Sequence, residues 1–316
     1  MAVTLVNNTG LSHYLNGMAI KFDLTEYIPA KIFDVAEDDR GYDLCCIEQL
    51  VLADDTGIAN QNDITGFMFR VGDITETLDI YLLKNGVQVA QINNSTYGTY
   101  YAINSITTYA GQELLTGVSL EWSKVLADFG EGVYQLQINY NGLFAASVEY
   151  SSKYRLRTYS NASAMGTIRI ESVMNGYMLR ERINYKDLNF VDMIRVKGFF
   201  GNAEEEVEVT NDVYATLAGE NRVIAQRKVN QIDVYKLETH PLPKCLADKI
   251  KYYHFFGNTV YVSDYNYINY DYGLKRVRVY KDTAFEFTYT GTTRAVIIKG
   301  KLKEQIQDLQ KTNCSA

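Results

Sequence analysis

Residues 133–150 read VYQLQINYNGLFAASVEY. Tyr134, Leu136, Ile138 and Tyr140 share one parity, and Gln135, Gln137 and Asn139 take the other. That is the period of two imposed by a half-buried strand. Asn141-Gly142 follows, a pair that accepts positive φ twice and so suits a tight hairpin turn. The pattern recurs in LDIYLLKNGVQVAQI (78–92), where Leu78, Ile80 and Leu82 share a face, Asn85-Gly86 turns, and Val87 and Val89 return. Asn-Gly appears again at Asn16-Gly17 and Asn175-Gly176, and Phe285, Phe287 and Tyr289 alternate with Glu286 and Thr288. Three prolines and 26 tyrosines in 316 residues fit the same chemistry, because aromatic and β-branched side chains suit pleated surfaces. The fold class expected is all-β, with two β-sandwich or jelly-roll-like domains and a few short helices.

Two helices interrupt the strands. In SLEWSKVLADFGEG, Trp122, Val125, Leu126 and Phe129 form one stripe, with Ser119 a candidate cap and Gly130 the stop. Trp122, the one tryptophan, is expected to anchor a core there. A second helix is predicted near 243–256, with Pro243 in its first turn, Leu246, Ile250 and Tyr253 as the stripe, and Gly257 at its end. The tail KLKEQIQDLQKTNCSA fits either a short amphipathic helix through Leu302, Ile306 and Leu309 or a frayed end.

Charge divides the chain. Residues 1–150 hold 6 Lys/Arg against 19 Asp/Glu, a net of −13, and residues 151–316 hold 25 against 19, a net of +6. With small polar residues clustered in 149–166, this places an acidic domain at 1–152 and a basic one at 153–316. Either the two surfaces simply differ, or copies meet acidic face to basic face.

The opening MAVTLVNNTGLSHYLNGM has neither a basic start nor an apolar run ending in a cleavage site, which predicts a soluble protein made in the cytosol without export. No apolar run reaches bilayer length, so no membrane partner is expected. Cys45, Cys46, Cys245 and Cys314 are too few for a disulfide framework and are expected to be free thiols.

No sequence motif for catalysis, a cofactor or a metal is present. His13, His240 and His254 stand in no nucleophile context, and no phosphate-binding loop or zinc spacing occurs. The acidic runs EDDRGYD (37–43), ADDTG (53–57) and AEEEVE (203–208) are expected to be solvated loops, with calcium a minor alternative, and the first two miss calcium-loop spacing. The basic runs KYRLRTYS (153–160) and YGLKRVRVYK (272–281) place Arg276 and Arg278 on one strand face with Val277 and Val279 inward. That face suits solvent or an interface first and phosphate second.

Residues 261–280, YVSDYNYINYDYGLKRVRVY, hold six tyrosines. Tyrosine offers large, rigid contact area with a hydrogen-bonding tip, and with no pocket indicated the interface reading is preferred over sugar or base stacking. Candidate contact residues are Tyr265, Tyr267, Tyr270, Tyr272, Arg276 and Arg278.

LPKCLADKIKYYHFFGNTVYVSDYNYINY and YTGTTRAVIIKGKLKEQIQDLQKTNC, with the shorter WSKVLADFGEGVYQLQI and IRVKGFFGNAEE, carry a family resemblance. The chain resembles virion structural proteins of tailed phages, in particular the ring-forming neck and tail proteins of crAss-like phages that infect Bacteroides-type hosts. The resemblance implies a non-enzymatic all-β subunit in a multi-copy ring around the portal–tail axis. Its partners would be copies of itself and neighbouring neck, tail or portal proteins, with packaged DNA passing through the bore without specific affinity. Its place would be the virion, assembled in the host cytoplasm. Two alternatives come from other classes. One is a glycan-binding or receptor-binding tail module using tyrosines as sugar platforms. The other is a glycan hydrolase whose paired carboxylates are set by spatial separation rather than by sequence.

Overall fold

Gly86 and Asn85 show how directly the hairpin chemistry operates: both take positive φ, at 81° and 50°, and join two antiparallel strands as Asn-Gly should. In the computed structural model, the described residues are 3–8, 22–23, 49–54, 62–71, 77–92, 101–107, 114–141, 146–151, 153–175, 177–178, 183–184, 190–215, 222–242, 246–247, 250–251, 254–266, 276–281, 284–290 and 295–304. They form an all-β chain with two short helices.

The first half contributes β1 (Val3–Asn8), β2 (Phe22–Asp23), β3 (Gln49–Ala53), β4 (Ile64–Val71), β5 (Thr77–Lys84) and β6 (Val87–Ile92). It continues with β7 (Tyr101–Thr107), β8 (Leu114–Glu121), helix α1 (Trp122–Phe129), β9 (Gly132–Asn141), β10 (Ala146–Tyr150) and β11 (Tyr154–Thr158). One antiparallel sheet runs β2-β1-β4-β8-β7, and a second runs β3-β11-β9-β5-β6 with β10 also on β9. Within the second, β3 and β11 pair in parallel. Strand β11 lies beyond residue 153, yet it belongs to this sheet, so the sheets change over after Thr158 rather than at 152/153.

Trp122 is fully buried, with Tyr134 and Tyr154 rings at 5.9 and 5.3 Å, and its Nε1–H donates to Thr65 Oγ1 at 2.8 Å. Burial of so large a ring, with its one polar atom satisfied, makes it the anchor expected. The predicted stripe holds in Val125 and Leu126, and Gly130 ends the helix at φ 72°. The cap differs from expectation. Ser119 lies inside β8, and the cap position falls to Glu121, which makes no side-chain cap bond. Strand pairing to Gly66 continues past the serine and delays the helix start.

The second half contains α2 (Asn161–Ala164), β12 (Thr167–Met174), β13 (Tyr177–Met178), β14 (Ile183–Asn184), β15 (Phe190–Ala215) and β16 (Arg222–Thr239). A 3-10 turn at His254–Phe256 precedes β17 (Thr259–Asp264), β18 (Val277–Lys281), β19 (Glu286–Thr290) and β20 (Ala295–Glu304). The order β16-β15-β12-β17-β18-β20-β19 closes because β16 also pairs β20, so the sheet wraps into a barrel without free edges at its waist. Ile168, Ile170, Ile194, Val196, Phe200, Val262 and Ile298 fill it. Gly300 lets the Phe285 ring lie where a Cβ would stand.

Leu246, Ala247, Ile250 and Lys251 are helical, with Ile250 buried in the barrel core, as the second predicted stripe requires. Tyr253, Pro243 and all four cysteines lie outside the described residues, as do Asn16-Gly17, Gly142 and Gly176. Leu302 corrects the tail reading: it is a buried residue of β20, paired across to Tyr235, and the tail beyond residue 304 lies outside the described residues. AEEEVE (203–208) is also corrected, from loop to strand, since it lies within β15 in register with β16.

Candidate functional site

Strands β12 and β15 place Arg169 directly opposite Arg195. Like charges at that cross-strand distance repel. The alternation predicts that this face, opposite the barrel-filling Ile168 and Ile170, looks to water. Instead the first half covers it, and both arginines are buried.

Asp63 resolves the repulsion from the other half of the chain. Arg195 Nε and Nη2 donate to its two carboxylate oxygens, each at 2.8 Å, and Leu52 N–H adds a third bond at 2.8 Å. Arg169 Nη1 lies 3.7 Å from the same carboxylate and donates to the Asn62 carbonyl at 3.3 Å. Burial alone would pull the Arg195 guanidinium down, but Asp63 and Tyr265 outweigh it and hold it above its ordinary value. Close by, Gly66 N–H donates to Asp192 Oδ1 at 3.0 Å, and His254 Nε2 lies 3.7 Å from Asp192 Oδ2. The result is a buried charged seam between the first-half sheets and the barrel. The two Arg195–Asp63 bonds tie the first half to the barrel, and chemically the seam is a lock.

Tyr265 belongs to this seam. It is 4% exposed, packs with Leu52 and Ala164, and presents its ring to Arg195 at 4.5 Å and Arg169 at 5.9 Å. A chain in this conformation keeps it from outside contacts. Tyr267, Tyr270 and Tyr272 lie outside the described residues. Arg278 is exposed on β18, with Val277 and Val279 buried opposite, as the alternation implies. Arg276 precedes that strand with φ 68°, outside the regular alternation. Its Nε and Nη2 donate to Glu171 at 3.1 Å each, its guanidinium covers the Tyr261 ring at 4.0 Å, and the Glu171 bond, more than any other contact, raises its pKa. Tyr261 and Arg278 are register partners, so Arg276, Tyr261 and Arg278 form a contiguous basic and aromatic strip.

His254 is buried, and His240 is exposed. Among the described residues, no group of three or more His, Cys, Asp or Glu is placed to hold a metal, and no helix is long and apolar enough to cross a membrane.

One strand pair, a ribbon, runs on past the pairings that close the barrel. Beyond Gly201 and Val234, strands β15 and β16 leave the barrel, and among the described strands residues 206–215 pair only with 222–232. At about 3.3 Å per residue the paired stretch extends on the order of 30 Å. Among the described strands, each keeps one edge whose backbone donors and acceptors have no partner strand. A register shift at Thr210/Asn211 skips Arg227, a bulge that increases local twist. No sequence signal singled out the ribbon, although its two strands alternate well enough to be strands.

No known protein-family model matches this chain, and neither does any curated protein sequence.

Proposed function

We propose that the protein is a non-enzymatic structural subunit of a tailed-phage virion, present as a multi-copy ring in the neck or tail. The ribbon carries this reading. An isolated two-stranded hairpin is marginal in water, and two open edges invite strand addition from neighbours. A projecting pair of strands is therefore best used when other subunits lie beside it. The family resemblance supplies the setting: a ring around the portal–tail axis, neighbours among neck, tail and portal proteins, and assembly in the host cytoplasm. The strip of Arg276, Tyr261 and Arg278 adds a second surface suited to protein contact, since arginine and tyrosine concentrate binding energy at interfaces.

Native mass measurement with negative-stain imaging, from micromolar concentration upward, tests the reading. Discrete multiples of the 35.9 kDa chain that image as closed rings are expected. A monomer at every concentration overturns it.

A further inference from the structure

The two strands of the ribbon carry opposite charge in their sequences. Residues 206–215, EVEVTNDVYA, contain Glu206, Glu208 and Asp212 and no Lys or Arg. Residues 222–232, RVIAQRKVNQI, contain Arg222, Arg227 and Lys228 and no Asp or Glu. Charges of a single sign on both edges would keep copies apart, the usual protection of a bare edge. Opposite signs do the reverse.

Three edge-to-edge contacts between two copies are available. Pairing β15 with β15 sets three acids against three acids, and pairing β16 with β16 sets three bases against three bases, each penalised strand against strand. Pairing β15 of one copy with β16 of the next opposes unlike charges. We infer that this third contact, made with a second copy of the same chain, is the subunit interface: the acidic strand of one ribbon adds to the basic strand of its neighbour. The inference rests on the multi-copy reading above and names the surface that reading needs. Such a contact is heterologous, using different patches on the two partners, so it propagates from copy to copy and ends only when the rotation closes into a ring. Copies related by rotation about an axis along the ribbon keep β15 and β16 antiparallel across each contact. The ribbons then form one continuous antiparallel sheet. The bulge at Thr210/Asn211 supplies the extra twist that a curved sheet requires.

Two charge-reversed proteins test this. One carries Glu206→Lys, Glu208→Lys and Asp212→Lys, giving two basic strands; the other carries Arg222→Glu, Arg227→Glu and Lys228→Glu, giving two acidic strands. Each alone is expected to assemble at least roughly tenfold more weakly than the parent by native mass, because like now faces like. Mixed in equal amounts, they are expected to regain assembly with strictly alternating composition. Recovery on mixing also shows that both are folded, since a misfolded chain rescues nothing. If each reversed protein assembles as the parent does, or if mixing restores nothing, the ribbon contact is overturned while the multi-copy reading stands. A parent that is monomeric throughout removes both.

Discussion

The base and the outer part of the β15–β16 hairpin are the same two strands in two different settings. At the base, β12 and β20 flank the pair, Phe200 is buried with the Tyr235 ring 4.9 Å away, and the backbone ladder continues around a closed barrel. Further out, the same backbone has a partner on one side of each strand and none on the other among the described strands. The flanking strands and the apolar core distinguish these settings. Stability therefore resides in the body, and the contact inferred above draws on the ribbon.

That contrast is sharpest where the body is most vulnerable. Replacing Asp63 by Ala strands Arg195 and Arg169 together without their anion, and loss of one partner of a buried pair costs about 3–5 kcal/mol. Chemical denaturation should show the loss directly, and a change below about 1 kcal/mol would mean the seam is not desolvated. Next comes Gly300→Ala. Its methyl would collide with the Phe285 ring inside the barrel, an overpacking expected to cost about 1–3 kcal/mol. A thermal midpoint equal to the parent's would show that Phe285 moves freely.

A smaller effect belongs to Glu131, half-exposed beside β11. Its carboxylate accepts from Thr158 N–H and from Arg157 Nη1, each at 2.8 Å, and these bonds, the Thr158 backbone first, hold its pKa down to about 2. A depressed carboxylate stabilises the fold above its unfolded pKa of about 4.5, and that stability is lost as pH falls toward 2. Solvent screening limits the contribution to under about 1 kcal/mol. Glu131→Gln should therefore lower stability slightly at pH 7 and match the parent near pH 2; a difference that grows on acidification contradicts the assignment.

The smallest change in stability is expected from the boldest edit. Excising residues 206–232 and joining the stubs through Asn-Gly should shift the unfolding free energy by less than about 0.5 kcal/mol while abolishing assembly. If the excision destabilises the monomer as much as Gly300→Ala does, the division between body and ribbon fails.

Local chemistry was legible in the sequence, and tertiary coverage was not. Asn85-Gly86 and Gly130 act through their own backbone, so residue type sufficed, and Trp122 is so large an apolar ring that its type alone marked a core anchor. Ser119 failed as a cap because a partner strand claimed it, a competition that composition does not reveal. Tyr265 sits in a tyrosine-rich run that suggests a surface, yet two arginines far away in sequence draw its ring inside. Arg169 and Arg195 obey strand alternation faithfully, and the face they point to is then buried by a different part of the chain. The same limit hid barrel closure, since the β16–β20 pairing depends on residues widely separated in sequence.

The Asp63–Arg195 pair also sets a clock. The two residues are 132 positions apart, and ribosomes extend chains at roughly 5–20 residues per second, so Asp63 waits on the order of ten seconds before its arginine exists. Throughout that interval a carboxylate without its arginine resists burial. Synthesis thus orders these events: the bond between the first half and the barrel can form only after residue 195 has emerged, and the Arg276–Glu171 pair only later still.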